Sequence, residues 1–254
     1  MPEPDAVFAH PRLARLYNAF DGPRDDLDAY EALVADLGAG SVLDVGCGTG
    51  SLAVRLAAAG LDVVGVDPAA ASLDVARAKP HADRVRWLHG DATTLPADLD
   101  GTRDLAVMTS NVAQVFTTDE AWTTALRGVR RTLGPGGCLV LETRVPARRA
   151  WERWTSSEAD VRHVPGEGPV AMTRVVVSVA LPLVTFTWTA TFADATLVST
   201  STLRFRERDE VEASLAAVGL EVEEVRDAPD RPGQEWVFVA TVTPGPRDGR
   251  PGAP

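Results

Sequence analysis

The stretch Val42-Leu43-Asp44-Val45-Gly46-Cys47-Gly48-Thr49-Gly50 decides the fold. A short apolar run, Ser41 to Val45, ends in alternating glycines, and Ser51 to about Ala59 then follows with helical spacing. Glycines let the backbone turn sharply and meet a ligand with no Cβ in the way. A helix N-terminus beyond them offers free N–H groups to a carboxylate or phosphate. The dinucleotide fingerprint is G-x-G-x-x-G, whereas the spacing here is G-x-G-x-G, with Ser51 where the third glycine would fall. Asp44 stands two residues before the first glycine. A carboxylate there would repel a pyrophosphate but suits a ligand with a positive amino group.

On either side of this stretch the chain alternates between strand and helix. Gly60 ends the first helix, and Leu61 to Val66 is a second apolar strand. Ala69 to Lys79 fits a helix, Val85 to Leu88 a third strand, and Leu105 to Thr109 a fourth. Thr117 and Glu120 have capping-box spacing and open a helix that runs to about Leu133. The run Leu133-Gly134-Pro135-Gly136-Gly137 reads as a stop, and Cys138 to Glu142 as a fifth strand. Strands and helices alternating at this spacing imply βαβ units and a mostly parallel sheet. Upstream, residues 1–10 read as irregular. Pro11 to Phe20 reads as a helix broken at Asp21-Gly22-Pro23, and Asp25 to Leu37 as a second, ended by Gly38 and Gly40. After Arg144 the pattern changes. Residues 145–168 lack periodicity, and Val170 to Phe205 reads as antiparallel strands with a turn at Ala193-Asp194-Ala195. A helix from Asp209 to Val218, with Asp209 and Glu212 again at capping-box spacing, precedes strands Leu220 to Val225 and Trp236 to Val242.

Composition narrows the function. The chain has 254 residues, 45% of them hydrophobic, and a formal charge of −11. That suits one α/β domain with an appended element, since such domains run to roughly 250 residues. So acidic a surface repels phosphate backbones and argues against nucleic acid as a partner. Lys79 is the only lysine. The two cysteines, Cys47 and Cys138, form no metal-binding motif, and the four histidines are scattered. No basic region followed by an apolar run opens the chain, so no signal peptide is read. The uncharged stretch Val175 to Ala193 is rich in β-branched residues and interrupted by Pro182, which predicts two strands meeting at a turn rather than a membrane span. A cytoplasmic protein is expected.

The run VLDVGCGTG resembles motif I of the class I, S-adenosylmethionine-dependent methyltransferases, and the resemblance continues along the chain. Asp67, ending Val64-Gly65-Val66-Asp67, matches the family's acidic residue that accepts hydrogen bonds from the ribose hydroxyls, with Pro68 beside it. Gly90-Asp91-Ala92 matches the Gly-Asp pair beside the adenine, where the carboxylate takes the exocyclic amine and the next N–H, here of Ala92, reaches the ring. Met108 to Gln114 lies where the fourth strand opens into the active site, which brings Thr109 and Asn111 to the cofactor. Gly46, Cys47, Gly48 and Gly50 form the loop, with Cys47 filling space as a small apolar group. Small-molecule members of the class often carry a tyrosine followed by a basic residue in a leading helical lid. Tyr17 and Arg24 fit, covering the cofactor and meeting its carboxylate. Structural alternatives stand beside these roles: Asp44 or Asp67 as helix caps, Asp91 as a turn initiator, Tyr17 as a core residue.

The resemblance implies a Rossmann-like α/β fold: a seven-stranded, mostly parallel sheet with helices on both faces, and an antiparallel β insert after strand five. The expected division is a helical lid over 1–40, a cofactor-binding core over 41–144, the insert over 145–206, a closing helix and strands over 207–243, and a disordered tail over 244–254. The insert resembles that of the amino-sugar N,N-dimethyltransferases and of the glycine N-methyltransferase-like branch, where such strands roof or flank a substrate site. The implied reaction is methyl transfer from S-adenosyl-L-methionine to a nitrogen or oxygen of a small molecule. Substrate-orienting candidates are Tyr17, Asn111, Gln114, Arg144, Trp151 and His163. No metal is expected. The insert strands could instead pair with a second chain as a homodimer. Two other readings stay open: a dinucleotide-dependent oxidoreductase, disfavoured by the glycine spacing, and a non-catalytic cofactor-binding sensor.

Overall fold

The computed structural model describes residues 3–21, 24 and 26–243. The expected tail over 244–254 and the break at Gly22-Pro23 lie outside them. Helices α1 (Ala6–Ala9), α2 (Pro11–Asp21) and α3 (Asp26–Asp36) lead the chain. The alternating part then runs β1 (Ser41–Val45), α4 (Ser51–Ala58), β2 (Asp62–Asp67), α5 (Ala70–Arg77), β3 (Val85–His89), β4 (Arg103–Met108), α6 (Asp119–Thr132) and β5 (Leu133–Arg144). Four strands follow: β6 (Asp160–Val164), β7 (Gly168–Ala180), β8 (Leu183–Thr191) and β9 (Thr196–Arg204). Helix α7 (Arg208–Ala216) and strands β10 (Leu220–Asp227) and β11 (Glu235–Val242) close the fold.

One sheet has the order β10-β11-β5-β4-β1-β2-β3, and the other is the antiparallel set β6-β7-β8-β9. In the larger sheet β1, β2, β3, β4 and β5 pair in parallel, and only β11 runs against both its neighbours. Strand side chains alternate between faces. Accordingly Leu43, Ala106, Met108, Leu139, Leu141 and Phe238 pack beneath α6 and α7 on one side. Val42, Leu105, Val107, Val140, Val237 and Val239 pack against α3 and α4 on the other. The strand order reverses between β1 and β4, and the crevice at the carboxyl ends of such a pair is where open α/β sheets bind ligands.

The second sheet is not an isolated flap. Its inner face carries Val170, Met172, Ala190 and Phe192, which enclose Leu13 and Leu16 of α2. Fully burying a leucine contributes about 2 kcal/mol, so the leading helices and the insert stabilise each other as one layer. The backbone N–H of Val7 also donates to Ser199 Oγ at 2.8 Å, and Ser72 Oγ of α5 donates to the Phe8 carbonyl at 3.0 Å. Residues before Pro11, expected to be irregular, therefore include a short helix held from both sides. The stretch Val175 to Ala193 forms β7 and β8, which meet at Pro182 as expected. Among the described residues no helix is long and apolar enough to cross a membrane.

Three local expectations shift. Thr118, not Thr117, caps α6, accepting from the Ala121 N–H at 3.2 Å. The capping box of α7 is Glu207 with Glu210, two residues earlier than expected. The glycine run 133–137 does not separate α6 from β5 but forms the irregular start of that strand. Pairing with β4 steps from Arg103–Leu133 to Leu105–Cys138, and the extra residues bulge out.

Gly128 shows how closely α6 lies on the sheet's edge loops: a Cβ there would fall 1.8 Å from the Ala92 carbonyl oxygen. In an open helix Gly→Ala stabilises by up to about 1 kcal/mol. Here overpacking reverses the sign, so Gly128→Ala should destabilise by about 1–3 kcal/mol in urea unfolding. A gain in stability would show that α6 is free to move away from the loop at Ala92.

Candidate active site

Strand β1 ends in Asp44 and Val45, and the chain then turns through Gly46, Gly48 and Gly50, with φ of 69°, 54° and 72°. These left-handed values favour glycine. Space separates their roles further. A Cβ on Gly50 would lie 2.4 Å from the Trp87 ring, so that glycine serves packing. A Cβ on Gly48 would meet nothing within 4 Å, so that glycine faces open space. Cys47 lies in the same turn, its thiol pushed well up by burial and then by Asp44. It is not poised as a nucleophile.

Three aspartates stand at or just beyond the carboxyl ends of β1, β2 and β3. Asp44 is 3% exposed, and burial, then the Asp67 carboxylate, raise it to about 7, with Arg24 pulling the other way. Asp67 Oδ2 accepts the Gly48 N–H at 2.8 Å and its Oδ1 accepts the Ala69 N–H at 2.8 Å. Burial raises Asp67 while these two bonds lower it, with a net upward shift. It thus braces the glycine loop against the entry to α5, and Pro68 follows it with its carbonyl 3.0 Å from His89 Nε2. Asp91 Oδ1 accepts from the Thr93 N–H, Thr93 Oγ1 and Thr94 N–H, at 2.7, 2.6 and 3.2 Å. That makes a side-chain-closed turn. Asp91 Oδ2 takes no part in it. Ala92 follows, buried.

The end of β4 forms the other wall. Thr109 is buried, and Ser110 and Asn111 are left-handed with φ of 54° and 63°. Two consecutive non-glycine residues there cost about 1–3 kcal/mol each and persist only where the surroundings hold them. Asn111 is held firmly: its Nδ2 donates to Glu142 Oε1 at 2.7 Å and to Glu235 Oε1 at 3.2 Å. The Tyr30 hydroxyl donates to Glu142 Oε2. Arg231 and Arg144 approach Glu235 Oε1 at 3.0 and 3.4 Å. Burial, then the neighbouring Glu235 carboxylate, push Glu142 strongly up, because two adjacent carboxylates resist ionising together. Asn111 Oδ1 and Glu235 Oε2 remain buried with no partner. Sequence reasoning missed Tyr30, Glu142, Arg231 and Glu235. The one available signal was a single glutamate near one end of each of two largely apolar strands, Glu142 in β5 and Glu235 in β11.

The remaining candidates separate. Arg144 Nη1 donates to Gln114 Oε1 at 2.9 Å, and the Gln114 amide donates to the Arg204 carbonyl, so these two join Asn111 around the strand ends. Tyr17 approaches the same region, since its phenol and the Arg144 guanidinium interact electrostatically. Its ring also lies 5.7 Å from Phe8. Arg24 Nη2 donates to Ser110 Oγ at 3.2 Å, bridging the leading segment to the β4 loop. Trp151 is buried edge-on against Phe205 at 4.7 Å, in an apolar seam with Trp154 and Phe186. His163 is exposed on β6, the edge strand, paired with Pro169 and away from the strand ends.

Residues 42–137 match the family described as "Methyltransferase domain". The chain is 38% identical over 107 residues to the cypemycin N-terminal methyltransferase of a Streptomyces species, a match spanning 42% of this chain and 43% of the relative. Thus less than half of that relative's length is covered. The structure superposes on the CcbJ methyltransferase of Streptomyces caelestis with a TM-score of 0.76 at 21% identity, over 95% of this chain and 100% of that one. It superposes on S-adenosylmethionine-bound CalS10, an amino pentose methyltransferase from Micromonospora echinaspora, with a TM-score of 0.65 at 26% identity, over 89% and 95%. Residues 42–137 are thus similar to a methyltransferase domain, and the chain that carries them has the Rossmann-like fold of the class I, S-adenosylmethionine-dependent methyltransferases.

Proposed function

We propose that this chain transfers a methyl group from S-adenosylmethionine to a nitrogen or oxygen of a small molecule. The observation that carries the reading is the cradle at the switch point. Gly48 faces open space between two buried aspartates, Asp44 and Asp67, and Asp91 lies one strand further along. That donor and acceptor set fits a nucleoside bearing a charged amino acid better than it fits a pyrophosphate. Asp44 accepts the amino group, Asp67 the ribose hydroxyls, and Asp91 with the Ala92 N–H the adenine. Arg24 meets the carboxylate and Tyr17 covers the cleft. The sulfonium supplies an activated methyl group, so the protein's contribution is alignment and exclusion of water. The buried network of Tyr30, Asn111, Glu142 and Glu235 fixes the wall from which Asn111 and Arg144 face the acceptor. A small acceptor is favoured because the insert and the leading helices form one layer over the chain's other elements, leaving a seam rather than a broad face.

Calorimetry should show micromolar-range binding of S-adenosylmethionine and of its demethylated product. Asp67→Ala should weaken both by at least about tenfold, since each charge-assisted hydrogen bond lost is worth about 1.5–3 kcal/mol. No heat with either nucleoside on folded protein sinks the proposal, and unchanged affinity in the variant makes Asp67 a brace for the loop alone.

A second expectation concerns pH. Asp44 sits near 7 in the free protein, and a bound ammonium group favours its ionised form. Binding below pH 7 must then release a proton, so affinity falls as pH drops from about 7 to 6, by up to about tenfold per unit. Above about pH 8 the ligand's own α-amino group loses its proton, so affinity should pass through a maximum and fall again. Asp44→Asn should flatten the acid limb between about pH 6 and 7, and an acid slope that survives the substitution places the titrating group elsewhere.

A further inference from the structure

In a chain with more acidic than basic residues, arginines readily find carboxylates. Arg12 pairs with Glu167 and Asp194, Arg55 with Asp28 and Glu31, Arg103 with Asp62, and Arg204 with Asp119. The buried Arg206 has no close carboxylate, but its Nη atoms donate to three carbonyls, those of Ala113, Phe116 and Thr118. Arg174 differs from all of these. It lies on the inner face of β7, opposite Trp188 of β8. Its guanidinium carbon is 4.8 Å from the Trp188 ring centre, 5.2 Å from that of Trp154 and 6.0 Å from that of Phe186. Nε donates to the Trp154 carbonyl at 2.9 Å. Among the described residues nothing accepts from its two Nη groups, and no carboxylate lies within ion-pair distance. The charge that acts on it is the like charge of Arg144. Burial, then Arg144, lower Arg174 to about 10.

Arg144 lies 5.2 Å from the same Trp154 ring. The indole is therefore flanked by one guanidinium from the insert and one from the carboxyl end of β5. Arg144 is already committed to Glu235 and Gln114. Arg174 keeps its free edge, and a stacked guanidinium whose edge is unoccupied presents two parallel N–H groups in the geometry that matches a carboxylate or phosphate. The surrounding aromatic rings lower the local dielectric and strengthen such a bond.

We propose that Arg174 is a specificity-determining residue that binds an oxyanion, a carboxylate or phosphate, carried by the methyl acceptor, with Trp154 and Trp188 walling the same subsite. This rests on the methyltransferase reading above and names the class of its substrate. The acceptor is then an anionic small molecule, docked at the seam between the insert and the sheet.

Trp154 and Trp188 make the subsite observable by intrinsic fluorescence. The protein is loaded with S-adenosylhomocysteine, whose binding is first measured by calorimetry, and then titrated separately with benzoate, benzamide and inorganic phosphate. Benzoate or phosphate should give a saturable change with a dissociation constant of about millimolar order, and benzamide should not. Saturation by benzoate alone assigns a carboxylate, by phosphate alone a phosphate, and by both an oxyanion site of either kind. Arg174→Gln should weaken the response at least about tenfold while leaving S-adenosylhomocysteine affinity and cooperative melting unchanged. Arg174→Lys keeps the charge without the planar fork, should weaken the response several-fold, and decides the matter if the glutamine variant does not fold. A response equal for benzamide, absent in the parent protein, or unaltered in the variant that folds overturns the proposal. Failure of S-adenosylhomocysteine to bind at the outset instead overturns the methyltransferase reading.

Discussion

The Asp67 carboxylate accepts the Gly48 N–H with one oxygen and the Ala69 N–H with the other. The loop after β1 and the turn after β2 are thereby joined at the point from which the rest of the site is measured. The bond suits a loop of left-handed glycines, because Gly46, Gly48 and Gly50 have no side chains to hold its shape, and Thr49 adds a second tie through its Oγ1 to Asn18 Oδ1. It also lets one residue serve structure and ligand without contradiction. A carboxylate has about four acceptor positions, and the two backbone bonds leave others facing the cradle. The helix-entry role of Asp67 therefore leaves room for the proposed ribose-binding role.

Around that point the protein tolerates an electrostatic arrangement that stability alone would not select. Asp44, Asp67 and Asp91 are buried at successive strand ends, and burial and the Asp67 carboxylate outweigh the pull of Arg24 on Asp44. Burying carboxylates costs free energy unless they are paired or take up a proton, and the upward shifts of Asp44 and Asp67 register that cost. Ser110 and Asn111 add backbone strain on the opposite wall. Departures from the rules of stable packing concentrate where a ligand is expected to repay them. The network of Tyr30, Asn111, Glu142, Arg144, Arg231 and Glu235 holds Asn111 in that conformation, while Asn111 Oδ1 and Glu235 Oε2 within it stay buried without a partner.

The leading helices and the insert take their positions from each other. Leu13 and Leu16 find their apolar surroundings in Val170, Met172, Ala190 and Phe192, far away in the sequence. A separate apolar seam of Trp151, Trp154, Phe186 and Phe205 seats the other end of the insert. Arg144 and Arg174 both lie against Trp154 of this seam, which adds two guanidinium groups to an otherwise apolar contact.

The sequence by itself determined everything governed by local rules. Glycine spacing, the alternation of strand and helix, and the carboxylates at strand ends are statements about neighbouring residues. They led from VLDVGCGTG to the sheet, the cradle and the insert. Capping positions shifted by a residue or two because several adjacent residues could each cap, and tertiary packing chose among them. Glu142 and Glu235 escaped notice because each looks like an ordinary strand terminus until β5 and β11 pair antiparallel and bring them together. Tyr30 and Arg231 join them from still other segments. Arg174 is one arginine among many in the sequence, and only the packing of β7 over Trp154 leaves its two Nη groups without an acceptor among the described residues. His163 looked available because distance along the chain does not say which face of an edge strand a side chain occupies. Periodicity and local chemistry are written in consecutive residues, whereas the pairing of charges is decided by which surfaces the folded chain brings into contact.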